Sequence, residues 1–173
     1  FDRTDAGRKL RMEDFCQLSE VPAKEKYESS AERCAKIVAS FATEAPVETL
    51  TLYRRFVFAY WIGDGDLHLK NLSLLADDEG RQSLAPAYDL VSTDLVIPDD
   101  PLALPIVGKK SGLKRATWIE FARRIGLPEK AAARVLASPA ALLAAAEELV
   151  ARSFLGAAYR DAYAALLRMR AKS

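Results

Sequence analysis

Gly63-Asp64-Gly65-Asp66-Leu67-His68-Leu69-Lys70-Asn71 is the stretch on which the reading of this chain turns. Before it, Leu50, Leu52, Phe56, Val57, Phe58, Ala59, Tyr60 and Trp61 leave little polar face. A helix that is apolar nearly all round is a central core helix. It is expected to begin at Pro46, whose fixed φ suits a first turn, and to end near Ile62. After the stretch, Leu72 to Ala76 reads as a strand, Asp77 to Gly80 as a turn and Gln82 to Ala85 as a return strand. Asp66, His68, Lys70 and Asn71 are thus placed between rigid elements, where functional loops concentrate.

Residues 1–12 are polar and read as an extended lead-in segment with a turn. A short helix is expected from Glu13 to Leu18, stopped before Pro22, and Ser29 or Ser30 caps another through Phe41. Pro86, Pro98, Pro101 and Pro105 keep residues 86–115 irregular. Helices are then expected over Thr117 to Ile125, Glu129 to Ala137, Ala140 to about Phe154 and Ala157 to Arg170, so that 116–173 forms a C-terminal helical part. The expected fold over residues 1–173 is mainly α, a helical bundle with one small β-hairpin beside the polar loop.

The 173 residues suit one domain, and half of them are hydrophobic, which excludes a wholly disordered chain. Twenty-five basic against 24 acidic residues leave a net charge of +1, too little to hold nucleic acid by bulk charge. Lys109-Lys110 with Lys114-Arg115 make a short basic cluster that reads as a solvated loop and only a weak candidate for DNA phosphate contact. No apolar run approaches the roughly 20 residues of a membrane span. Cys16 and Cys34 form no C-x-x-C, so neither a zinc ribbon nor a disulfide framework is expected, and a reducing cytoplasm is the simplest location. The chain begins with Phe1 rather than Met and is read as a piece of something longer.

Asp66 and Asn71 are five apart, the separation of Asp and Asn in the protein-kinase loop H-R-D-x-x-x-x-N. There the Asp accepts or orients the proton of the attacking hydroxyl, and the Asn holds a magnesium ion bridged to phosphate oxygens. A second metal carboxylate is expected just past the hairpin, where Asp89 stands in Pro86-Ala87-Tyr88-Asp89-Leu90. Lys70 lies where an ammonium can neutralise phosphate charge. An isolated D-x-x-x-x-N arises by chance, and Asp and Asn favour turns for local reasons. The apolar helix, the hairpin and the terminal Asp together favour a site. His68, the only histidine, reads as part of that site, as scaffold more than as base. Asp64 is an alternative base or a turn residue, and the turn is favoured. Tyr53, Trp61 and Tyr88 read as core aromatics.

The loop and Pro86-Ala87-Tyr88-Asp89 resemble the D-x-H-x-K-N and P-x-Y-D motifs of the HipA-type serine/threonine kinases of bacterial toxin–antitoxin systems. Phe1-Asp2-Arg3 resembles the family's R-F-D-R hinge segment. Glu13-Asp14-Phe15-Cys16-Gln17 and Lys26-Tyr27-Glu28 resemble its E-D-x-x-Q and K-Y-E signatures. The similarity runs from Phe1 to about Val91. It implies a kinase-like C-terminal lobe with Asp66 catalytic, and with Asn71 and Asp89 as magnesium ligands. It also implies that Phe1, His68, Lys70, Asn71 and Tyr88 bind ATP, Phe1 at the adenine end. Its implied partners are a protein substrate, with aminoacyl-tRNA synthetases known as family targets, and a helix-turn-helix antitoxin through which DNA is met indirectly. Gly63-Asp64-Gly65 departs from the family's usual Gly-Asn-Thr, which bears on the loop's hydrogen bonding.

The eight glycines form neither G-x-G-x-x-G nor a Walker loop, and no V-A-I-K strand is present. The chain therefore reads as a C-terminal lobe cut near the hinge, with the N-terminal lobe absent and with no activity expected of it alone. Two other readings stay open. One is an aminoglycoside- or choline-kinase-like phosphotransferase, whose H-G-D-x-H-x-x-N loop is similar but whose metal motif fits Tyr88-Asp89-Leu90 less well. The other is a non-catalytic kinase-like module that binds a DNA-binding antitoxin.

Overall fold

The computed structural model describes residues 2–172, so the adenine-side role expected of Phe1 lies outside the described residues. The lead-in segment makes a turn closed by an Arg3–Lys9 bridge and enters strand β1 (Met12–Asp14). Helix α1 (Phe15–Leu18) follows at once. The helix expected from Glu13 therefore starts two residues later, and the residues before it are a strand. Asp14 ends the strand and caps the helix: its carboxylate accepts from Gln17 N–H at 2.9 Å, and the Gln17 side chain accepts from Asp14 N–H at 2.8 Å. This reciprocal capping box fixes where the chain turns from extended to helical.

Helix α2 (Ala31–Phe41) is capped by Ser30, and α3 (Ala45–Ile62) carries Pro46 in its first turn, both as expected. Strands β2 (Ser73–Ala76) and β3 (Gln82–Leu84) form the expected hairpin. β1 adds to its open side, pairing Asp14 with Ser73 and Met12 with Leu75, so the sheet has three antiparallel strands in the order β1-β2-β3. Residues 86–114 are irregular apart from one 3-10 turn at Thr93–Leu95. Helices α4 (Arg115–Arg124), α5 (Glu129–Leu136), α6 (Ser138–Ala151) and α7 (Ala157–Arg170) complete the chain.

α3 is the central helix. Leu52, Tyr53, Phe56 and Ala59 are buried against α2, α4 and α5, with Tyr53 stacked on Phe121 and its hydroxyl donating to the Trp118 carbonyl at 3.2 Å. Trp61 joins a second, smaller apolar cluster with Val150 and Leu167, and its indole N–H donates to the Leu167 carbonyl. The core-aromatic reading of Tyr53 and Trp61 therefore holds. One face of α3 is not covered: Phe58 is 37% exposed and Arg54 is exposed beside it. Both cysteines are buried free thiols. No helix among the described residues is long and apolar enough to cross a membrane.

Candidate active site

The loop begins where α3 stops. Gly63 ends the helix with φ +80°, a left-handed conformation that a side chain resists. A Cβ there would also meet Leu166 of α7 at 2.8 Å and Ser92 at 2.9 Å. Gly65 has no room either, because a Cβ would collide with the Asp100 carboxylate and with Thr93. Gly65 N–H donates to Thr93 Oγ1 at 2.8 Å, and Thr93 in turn bonds to Asp100. The two glycines let the loop lie flush against the irregular segment after the hairpin.

Asp66 is held from several sides. Its N–H donates to Asp64 Oδ1 at 2.9 Å, while its carbonyl accepts from His68 N–H at 2.8 Å and from the Asn71 amide at 3.1 Å. Its Oδ1 accepts from the Tyr27 hydroxyl at 2.7 Å, and the side chain stays 40% exposed. The carboxylate is thus anchored through one oxygen and open to solvent. Committing its amide nitrogen to Asp66 orients the buried Asn71, so the side-chain oxygen is the atom it has left for a cation.

His68 is buried, packed edge-on against Tyr27, with Nε2 3.9 Å from Asp66 Oδ2. Burial lowers its pKa, against an upward pull from Asp66, which keeps the ring neutral near pH 7. Lys70 is turned to the sheet side, its ammonium on Asp14 at 2.9 Å. Tyr88 donates its hydroxyl to the Lys70 carbonyl at 2.7 Å and shares a short hydrogen bond with Ser73. Tyr88 therefore ties the metal-motif segment to the loop and to β2. Asp89, next in sequence, is exposed and takes φ +54°. Its charge acts on both Asp64 and His68, as does that of Asp66.

Sequence reasoning quoted Tyr27 and Asp14 only within motifs and gave them no role at the site, and it favoured a turn for Asp64. Tyr27 orients Asp66, Asp14 holds Lys70, and Asp64 makes the expected turn contact to Asp66 N–H while being a buried carboxylate as well. Asp64 Oδ2 is buried with no hydrogen-bond partner. Burial pushes its carboxyl up to about 6. The Asp66 N–H bond opposes this, and repulsion from Asp66, Asp89 and Asp100 adds to it. Since the folded value lies above the unfolded one near 3.8, the folded chain binds the extra proton between about pH 4 and pH 6, and stability falls as pH rises through that window. Asp64→Asn is expected to flatten this slope and to stabilise the protein at pH 7 by on the order of 2 kcal/mol, read by urea denaturation across pH. An unchanged slope would show that Asp64 is not the titrating group.

Helix α7 braces the loop from behind. Arg170 donates to Asp94 Oδ2 at 2.7 Å and to the Tyr60 carbonyl at 2.6 Å, with its guanidinium over the Tyr60 ring. Both partners of the ion pair are largely buried, at 13% and 9% side-chain exposure. Removing one charge strands the other, so Arg170→Ala is expected to lower stability by about 3 kcal/mol. The Arg170→Ala/Asp94→Ala double variant is expected to lose less than the sum of the singles; additive losses would mean that the pair is not coupled.

Among the described residues no three His, Cys, Asp or Glu side chains gather as a metal cluster. The candidate set is mixed, with the Asn71 amide oxygen and the Asp89 carboxylate, and suits a magnesium ion that takes its other ligands from phosphate and water. The unpartnered Asp64 oxygen, and the repulsion that Asp66 and Asp89 exert on Asp64, mark a region that a divalent cation would stabilise. Such a cation fits these residues. A cavity of about 620 Å³ lies elsewhere, between α3, α5 and α6, and touches this region only at Ala87 and Leu90.

Comparison with known proteins adds three findings. The family model of the HipA-like C-terminal domain matches residues 1–147, well past Val91, where the motif resemblance stopped. Two Sinorhizobium fredii proteins named "Putative kinase Y4dM" and "Putative kinase Y4mE" are 36% identical over 133 residues and 32% identical over 137 residues. These alignments take in 75% and 73% of this chain and 32% of each relative, so the chain spans about a third of their length. Among solved structures, HipA of Shewanella oneidensis, determined with HipB and operator DNA, superposes with a TM-score of 0.85 at 21% identity, over 99% of this chain and 46% of that one. The Helicobacter pylori proinflammatory kinase CtkA superposes at 0.61 with 12% identity, over 98% and 70% of the two chains. At such identities these likenesses establish the fold alone.

Proposed function

This chain belongs to the HipA-like C-terminal domain family, and from that premise we propose that it is the catalytic lobe of a serine/threonine protein kinase using ATP and magnesium. The observation that carries the reading is Asp66, held by Tyr27 through one carboxylate oxygen, open to solvent through the rest, and buttressed by Asn71 through its backbone carbonyl. Asn71 and Asp89 would hold the magnesium, which supplies charge neutralisation at the phosphates. The acceptor hydroxyl oxygen bonds to the γ-phosphorus as the bond to the bridging oxygen breaks, ADP leaves, and Asp66 takes the hydroxyl proton. His68, neutral and buried, stiffens the loop, and Tyr88 fixes the distance between the Asp89 segment and Lys70. The Lys70–Asp14 pair leaves the ammonium at the rim of the sheet, from which it would turn to a phosphate.

The Shewanella neighbour's association with HipB and operator DNA supports the further proposal of an antitoxin partner, of helix-turn-helix type, with DNA met only through it. A toxin role in the cytoplasm follows from that proposal. The test is transfer of label from γ-labelled ATP to serine or threonine of a protein acceptor by the whole protein, with aminoacyl-tRNA synthetases tried first. Labelling of an aminoglycoside or choline with no protein labelled would replace this reading with a small-molecule phosphotransferase.

A further inference from the structure

We propose that the groove between α3, α5 and α6 docks an acidic peptide segment, one that offers a bulky apolar side chain next to a carboxylate. The groove is about 620 Å³ and is lined mainly by apolar groups. Its apolar surface includes Trp61, Phe58, Leu90 and Leu142, the last three 37%, 37% and 50% exposed. Such contiguous apolar surface marks a contact site.

The charge of its lining is one-sided, with Glu48 acting on Arg55 from outside it. Three arginines line it, Arg54, Arg55 and Arg134, and no Asp or Glu does. Arg54 and Arg134 are exposed and enter no ion pair among the described residues. Arg55 is only 9% exposed. Its Nη2 donates to the Ala85 carbonyl at 2.6 Å, but Nη1 is buried without a partner. A buried guanidinium donor left unpaired is costly, and a carboxylate is the planar group that guanidinium pairs best. The apolar surface separates this ligand from a free inorganic anion, which would leave Phe58 and Leu142 wet. It also disfavours a nucleic acid backbone, which seeks outward cations and not a greasy trough. An acidic peptide with an apolar anchor satisfies both halves of the groove, in the manner of a short segment laid along a helical trough.

The groove is separate from the proposed transfer site, and docking does not depend on phosphoryl transfer. It reaches that site at one edge, because Arg55 holds Ala85 while Ala87 and Leu90 flank Tyr88-Asp89.

The test is fluorescence anisotropy on the whole protein with a labelled peptide carrying Leu and Phe one helical turn apart among Glu residues, against the same peptide with Lys for every Glu. The acidic peptide is expected to bind at least about tenfold more tightly, to weaken with salt, and to lose about threefold in affinity with either Arg54→Glu or Arg134→Glu. Both positions are exposed, so the fold is retained, which a melting curve checks. Equal binding of the two peptides, no binding of either, or indifference to both charge reversals would overturn the proposal. Full displacement by millimolar inorganic phosphate would also overturn it, in favour of a plain anion site.

Discussion

Asp66→Asn in the whole protein is expected to cut phosphoryl transfer by about 10³-fold while leaving the fold intact, since a positioned general base contributes roughly 10² to 10⁴. The substitution keeps the side chain's size and one acceptor oxygen, so Tyr27 retains its partner. The backbone bonds from Asp66 to Asp64 and from His68 and Asn71 to the Asp66 carbonyl do not involve the side chain and survive. What is lost is the charge that accepts the hydroxyl proton. Removing it also relieves Asp64 of one repelling neighbour, so the melting temperature is expected to hold or rise slightly. Transfer at the wild-type rate by a folded Asp66→Asn variant would remove Asp66 from the chemistry.

The second large effect is expected at Asp89. Asp89→Ala removes the only carboxylate assigned to magnesium, and MgATP binding by the whole protein, measured calorimetrically, is expected to fall at least about 100-fold. Backbone strain complicates this position, because φ +54° suits Asp and Asn better than Ala. Asp89→Asn is therefore the companion. It keeps the backbone preference and loses the charge, and it is expected to bind MgATP weakly while melting like the parent. Undiminished binding by both variants would show that Asp89 is not a ligand.

Much of the fold was legible because caps and breakers act locally. Ser30, Pro46 and Gly63 place the ends of α2 and α3 by their own conformational and hydrogen-bonding preferences. β1 was not legible, since Met12–Asp14 is too short to show alternation and its partner β2 lies some sixty residues on. The candidate site was legible through the five-residue spacing of Asp66 and Asn71 and the place of Asp89 just past the hairpin, because both are set along the chain. The Tyr27–Asp66 and Asp14–Lys70 contacts depend on how the end of β1 and the turn at Tyr27 meet the loop in space, and nothing in spacing encodes that. A signal for Asp64 was present in its place, directly after the glycine that ends a nearly all-apolar core helix. Arg54-Arg55 likewise stands out in the sequence as a charged pair before the apolar second half of α3, and Arg55 is buried.

The most direct test places the metal. With manganese substituted for magnesium and ATP present, nuclear magnetic resonance of the isotopically labelled whole protein reads which amides relax fastest. The account predicts the strongest broadening at Asp66, Asn71 and Asp89, with Phe58 and Arg134 in the groove unaffected, and loss of the pattern in Asp89→Ala. Broadening centred on any other face, or a pattern that survives Asp89→Ala, would contradict it.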